Sequence, residues 1–110
     1  MIARVWRGWT TPQNADAYEM LLRTKVYPAI HQVNGFRGAY LYRRAVGSEV
    51  EFISNTYFES LDAVRGFAGE NYERAVISEE AEKLLTHYEQ CAVHYEVAVT
   101  QQGLTPLALD

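Results

Sequence analysis

Arg7, Tyr72, Tyr88 and His94 are the side chains whose types and settings could do chemistry on a bound molecule. An arginine attracts an oxyanion, and the others donate, accept or exchange protons. The chain uses eight arginines against two lysines, and Arg4, Arg7, Arg37, Arg43 and Arg44 fall in alternating, strand-like segments. A guanidinium tolerates partial burial and stacks on rings, so several of these point to an interface or a pocket. Arg7 ends an otherwise apolar row beside Trp9, where a charge needs a carboxylate, a carbonyl or a ligand oxygen. Two readings stay open for it. The guanidinium either snorkels past the sheet edge or pairs with a helix glutamate, or it binds an acidic phenol or carbonyl in a pocket. Tyr72 and Tyr88 either supply hydroxyls to a cavity or pack as core.

Other chemistries are poorly supplied. His31, His87 and His94 lie on three different elements, and His87 has neither Glu82 nor Glu89 at the three- or four-residue spacing of ligands on one helix face. No metal site is expected. There is no glycine-rich phosphate loop and no G-x-S-x-G nucleophile turn. The one cysteine, Cys91, cannot form an internal disulfide, and its strand-like setting reads as a buried apolar residue without a partner to activate it. A net charge of −4 and an isoelectric point near 5.3 argue against binding nucleic acid or anionic lipid. A strand pattern begins by Ile2 without a basic or long apolar leader, so no membrane association and a cytoplasmic location are expected.

The elements that position these groups follow from periodicity. The 110 residues, 48% of them hydrophobic, suit one domain with its own core. Residues 2–9 read as a strand, after which Thr11 as cap and Pro12 at the first helical position open a helix through Ala15, Tyr18, Leu21 and Leu22. Pro28 kinks or ends it, a short helical piece continues to Val33, and Asn34-Gly35 breaks the run. Residues 36–46 and 49–58 form a hairpin around Gly47-Ser48. Ser60 caps a second helix, with Asp62 near its positive end and Leu61, Val64, Phe67 and Ala68 on one face. After Gly69 comes a short helical segment near 71–76, then a helix capped by Ser78 through Leu84, Leu85 and Tyr88, and a last strand at 91–99. Interleaving the two strand-helix-strand units gives an α+β fold, the ferredoxin-like βαββαβ arrangement with a four-stranded antiparallel sheet. The tail from Thr100 to Asp110, with Leu104, Leu107 and Leu109, either packs on a partner subunit or frays.

Strand pairing then sorts side chains by face. Setting Arg4 opposite Glu96 puts Ala3, Val5 and Arg7 on the helix side with Val93, Tyr95 and Val97. Arg4, Trp6, His94 and Glu96 take the other side. In the hairpin, Arg44 meets Glu51; Leu41, Phe52, Ser54, Thr56 and Phe58 share one face, and Tyr40, Tyr42, Ile53, Asn55 and Tyr57 the other. A sheet face carrying Trp6, Tyr40, Tyr42, Tyr57 and His94 needs a flat cover, most simply a second copy, so a homodimer with stacked sheets is expected.

The strand Ile2-Ala-Arg-Val-Trp-Arg-Gly, the junction Tyr57-Phe-Glu-Ser-Leu-Asp-Ala-Val-Arg-Gly-Phe-Ala-Gly and the terminal Val93-His-Tyr-Glu-Val resemble the antibiotic biosynthesis monooxygenase family. The resemblance spans residues 1–99 and leaves the 100–110 tail outside. It implies a dimeric α/β-barrel with a cavity between each subunit's sheet and helices, in a family of cofactor-independent oxygenases of quinols and polycyclic phenols and of haem-degrading enzymes. The asparagine, tryptophan and histidine known from the haem-degrading branch correspond here to Arg7, Phe58 and Val76. The expected function is therefore a cofactor-free monooxygenase acting on a small hydroxylated aromatic or quinol. Arg7 would stabilise the phenolate and Tyr72 orient or exchange a proton, with Trp9, Phe58, Phe52, Phe67 and Tyr88 holding the ring. The alternatives are a non-catalytic dimer that binds a hydrophobic small molecule, and an isomerase or cyclase on the same scaffold.

Overall fold

The computed structural model describes residues 1–101. The tail leucines Leu104, Leu107 and Leu109 lie outside the described residues. Strand β1 (Ile2–Thr10) runs through the middle of an antiparallel sheet, flanked by the hairpin of β2 (Phe36–Val46) and β3 (Glu49–Phe58). Gly47 opens the hairpin turn at φ 59°, and the expected register holds, with Arg44 opposite Glu51 and Tyr42 opposite Ile53. Between β1 and β3, Arg4 meets Thr56 and Trp6 meets Ser54.

Helix α1 (Pro12–Leu21) starts as its sequence requires: the Asn14 amide donates to Thr11 Oγ1 at 3.2 Å, and Pro12 fills the first position where no amide is needed. Ala15, Tyr18, Leu21 and Leu22 are buried against the sheet. The helix then widens into a π turn at Leu22–Val26 before α2 (Tyr27–His31). Pro28 has no amide hydrogen, and its ring crowds the carbonyl four residues back. The wider turn just before it takes up that conflict, so the run passes through Pro28 instead of ending there.

Gly35 follows at φ 89°, and a Cβ there would stand 2.6 Å from that of Ala63. Gly35→Ala is therefore expected to destabilise the fold by about 1–3 kcal/mol, read as a lower urea midpoint with unchanged slope. An unchanged midpoint would contradict this packing of the loop on α3 (Leu61–Ala68). In α3 itself the Ala63 amide donates to Ser60 Oγ at 3.1 Å, Asp62 sits in the first turn, and Gly69 ends the helix at φ 88°.

The second half departs from expectation in several places, the last strand among them, which spans Val93–Glu96 instead of 91–99. Residues 71–76 are not helical: the Ala92 amide donates to the Glu73 carbonyl at 2.7 Å and the Ala75 amide to the Gln90 carbonyl at 2.9 Å. That long-range pairing satisfies the backbone in place of a local helix. It also leaves Cys91 exposed in a bridge to Arg74, so the cysteine is not a core residue. Helix α4 (Glu79–Leu84), capped by Ser78, stops before Tyr88 because Leu85–Tyr88 forms β4 against the Gly8–Thr10 end of β1. The far half of β1 would otherwise present an unpaired edge. The fourth sheet position is thus filled in two pieces, β4 and β5 (Val93–Glu96), giving five strands.

The pairing of β5 is offset by two residues from the expected one: Arg4 lies opposite His94, and Ile2 opposite Glu96. A shift of two keeps the same residues together on each face. The larger correction is which face meets the helices. Arg4, Thr10, Phe52, Thr56 and Phe58 are buried beneath them, so the row Arg4, Trp6, Gly8, Thr10 points inward and Val5, Arg7 and Trp9 point outward. Gly8 explains the choice, because a Cβ there would fall 2.9 Å from the Trp6 ring and 3.0 Å from Leu85. The indole folds over the space the glycine leaves. Among the described residues, no helix is long and apolar enough to cross a membrane.

Candidate functional site

Between the inner sheet face and the helices lies a cavity of about 420 Å³. Its floor is Arg4 and Trp6 of β1 with Ser54 and Thr56 of β3. The roof is Tyr18 and Leu21 of α1, Leu22 and Val26 of the π turn, and Tyr27 and Ile30 of α2. Phe67 of α3 and the segment Val76, Ile77 and Ser78 complete the wall, and Lys25 and Glu80 pair at 3.1 Å on the exposed rim.

Arg4 dominates the electrostatics. It is only 5% exposed and, among the described residues, has no carboxylate within ion-pair distance. Its Nη1 donates to the Tyr72 carbonyl and meets His94 Nε2 at 3.0 Å; its Nη2 donates to the Arg74 carbonyl at 3.0 Å. The Phe67 ring lies 5.5 Å from the guanidinium carbon. Burial lowers the pKa of Arg4, yet a guanidinium stays charged at neutral pH, so carbonyl dipoles and a ring face offset the charge only in part.

His94 is held below the ordinary histidine value, first by burial and then by the Arg4 charge, with Glu73 opposing. It is therefore the neutral imidazole that accepts at Nε2, with its proton on Nδ1. The folded state binds fewer protons here than the unfolded chain, whose histidine titrates near about 6.5. Stability from this group is complete above that pH and declines as pH falls below it. The urea midpoint should drop between pH 7 and pH 5.5, with a shallower drop in His94→Gln. Identical slopes in the two proteins would contradict it.

Tyr27 and Ser54 share a 2.7 Å hydrogen bond on the cavity wall. Burial pushes the Tyr27 hydroxyl up to about 12 and raises Tyr18 further, so both are neutral phenols near neutral pH.

Of the side chains singled out from sequence, Phe67 reaches the cavity wall and Arg7 does not. Arg7 is exposed on the outer face, its Nη2 2.9 Å from Glu89 Oε2, and Trp9 beside it stacks on His87 at 4.3 Å. The expectation that both face the pocket is corrected by the inward row of Arg4 and Trp6. Phe52 and Phe58 are core residues, 1% and 0% exposed, packed on Tyr18 and on Phe36 and Phe67. Tyr72 borders the site rather than lining it, with its carbonyl on Arg4 and its ring edge-on to His94 at 5.1 Å. Tyr88 packs beside Trp6 and donates to Glu82 at 3.3 Å, outside the wall. Trp6 and His94, expected on the outer face, are instead on the inner one: Trp6 lines the cavity and donates to the Glu89 carbonyl at 2.7 Å. Tyr40, Tyr42 and Tyr57 do lie on the outer face, with the first two exposed and stacked at 6.4 Å. Arg4, Tyr27, Ser54 and Thr56 are the wall residues that a site reading from sequence passes over. The parity of Arg4 with Trp6 and Gly8 is the signal that would have found the first.

No protein-family model matches the chain, and no curated protein matches it in sequence. Solved structures do match its fold. A monooxygenase from the gene ActVA-Orf6 of Streptomyces coelicolor, in complex with nanaomycin D, is 19% identical with a TM-score of 0.67, over 93% of this chain and 91% of that one. The heme-degrader MhuD of Mycobacterium tuberculosis, with two hemes in its active site, is 19% identical with a TM-score of 0.62, over 93% of this chain and all of the other (100%). SnoaB, a cofactor-independent oxygenase from Streptomyces nogalater, is 16% identical with a TM-score of 0.60, over 90% and 94% of the two chains. These TM-scores, over nearly the whole of each chain, show a shared ferredoxin-like α+β fold.

Proposed function

We propose that this protein is a cofactor-independent monooxygenase of the antibiotic biosynthesis type, and that its substrate is a small hydroxylated aromatic held over Arg4. The observation that carries the reading is a buried guanidinium without a carboxylate partner among the described residues, on the floor of a largely apolar cavity of about 420 Å³ whose wall includes Trp6 and Phe67. Such a charge attracts an acidic oxygen of the ring system, while Trp6 and Phe67 hold its face. An ionised, electron-rich ring passes an electron to dioxygen, and the apolar side chains of the wall limit water around the radical pair. For a phenol with a free para position, a C–O bond forms at that carbon. Its hydrogen and the phenolic hydrogen leave with the second oxygen atom as water, and the product is the para-quinone. The substrate supplies all four electrons that dioxygen takes up. The fold shared with ActVA-Orf6 and SnoaB supports the reading.

Haem fits the site poorly as a resident group, since none of His31, His87 and His94 lines the cavity and His94 Nε2 is engaged by Arg4. The test is substrate-dependent oxygen uptake by the purified protein against electron-rich naphthols and anthrols. Saturable binding without uptake would move the reading to a non-catalytic binding module, and a changed product without uptake to an isomerase or cyclase.

A second copy is the proposed cover for the outer face, where Tyr40, Tyr42, Val93 and Tyr95 are 46%, 48%, 49% and 56% exposed. Light scattering is expected to give the mass of a dimer, and Tyr42→Glu that of a monomer at micromolar concentration. A monomeric wild type would overturn the dimer.

A further inference from the structure

We propose that the cavity selects aromatic carboxylates: the ligand's carboxylate sits side-on against the free edge of Arg4, and its ring hydroxyl meets the Tyr27–Ser54 pair. The proposal deepens the oxygenase reading and rests on it only for the ligand being turned over.

A guanidinium has five N–H donors. Among the described residues three have acceptors: Nη1 on the Tyr72 carbonyl and His94 Nε2, and Nη2 on the Arg74 carbonyl. Nε–H and one Nη2–H are left. Nε and Nη2 share one edge of the planar group, the edge that pairs side-on with the two oxygens of a carboxylate, a pairing a single phenolate oxygen makes only by half. Nearby side chains do not take them up: Ser54 Oγ is engaged by Tyr27, and Thr56 Oγ1 turns to the Arg4 carbonyl at 3.5 Å. An arginine 5% exposed with an open fork on a cavity wall is a built anion site.

The second polar point fixes orientation. Ser54 lies opposite Trp6 and Thr56 opposite Arg4, so the backbone that carries Ser54 is two residues along β3 from the residue facing Arg4, a spacing of about 7 Å. The wall around both points is apolar: Leu21, Leu22, Ile30 and Phe67. A fused ring bearing a carboxylate at one end and a hydroxyl at the other meets the Arg4 fork and the Tyr27–Ser54 pair together, while the charged Lys25 and Glu80 stay on the exposed rim.

Calorimetric titration with 6-hydroxy-2-naphthoate, its neutral carboxamide and 2-naphthol tests this directly. The carboxylate is expected to bind about 10–100-fold more tightly than the amide. Arg4→Gln should abolish that preference, and Arg4→Lys, which keeps the charge without the fork, should retain only a small part of it. Equal affinities of wild type for the acid and the amide would overturn the proposal, as would a preference that survives in both variants. If Arg4→Gln does not fold, the wild-type comparison and the lysine variant still decide. A carboxylate preference without oxygen uptake leaves this inference standing and removes the oxygenase. Uptake with naphthols and no carboxylate preference does the reverse.

Discussion

Arg4→Gln is expected to lower kcat/KM for oxygen uptake by about 100-fold or more, while Arg7→Ala leaves it within about threefold. The two arginines are three residues apart, on opposite faces of one strand. Arg4 is buried on the cavity floor, its donors on carbonyls and a neutral histidine; Arg7 is exposed and paired with Glu89. Removing the buried charge takes away the attraction for an acidic ligand oxygen and leaves the Tyr72 and Arg74 carbonyls short of a donor. Removing the outer one breaks an exposed pair that contributes on the order of 0–1 kcal/mol. Circular dichroism on both variants separates lost chemistry from lost fold. A large loss in Arg7→Ala with Arg4→Gln unaffected would put the chemistry on the other side of the sheet.

Phe58→Ala is expected to cost about 3–5 kcal/mol, a large share of the roughly 5–15 kcal/mol that holds a domain of this size. Its ring is 0% exposed and lies between Phe36 at 5.7 Å and Phe67 at 5.8 Å, in the cluster that ties α3 to the sheet through Val64. Truncation leaves a cavity bounded by side chains fixed on three different elements, so little of it can close. The measurement is the urea midpoint, with the thermal midpoint falling in parallel. A weakened ligand affinity with near-native stability would instead mark Phe58 as part of the pocket wall.

The residues that carried the sequence reading furthest were those whose constraint is local. Thr11-Pro12, Ser60 and Ser78 each start a helix with the cap that the spacing predicts, and Gly47-Ser48 fixes the hairpin register that sorts Tyr42 from Phe52. What was not legible depended on choices between distant segments. The inner and outer faces of β1 are close in apolar content, and the decision fell to Gly8, whose missing side chain lets Trp6 lie inward against Leu85. An arginine in the inward row looked like the worse core residue until the Tyr72 and Arg74 carbonyls were brought to it by a loop that has no regular structure. Leu85–Tyr88 has a helical period, and pairing with the far half of β1 overrode it. One face reversal therefore moved Arg7 and Trp9 out of the site and Arg4 and Trp6 into it.

Turnover under ¹⁸O₂ with a hydroxynaphthoate whose para position is free tests the central claim most directly. The account predicts a quinone carrying one labelled oxygen, the second label in water, and loss of product in Arg4→Gln with retention in Arg7→Ala. An unlabelled product, or labelled product formed equally well without Arg4, would contradict it.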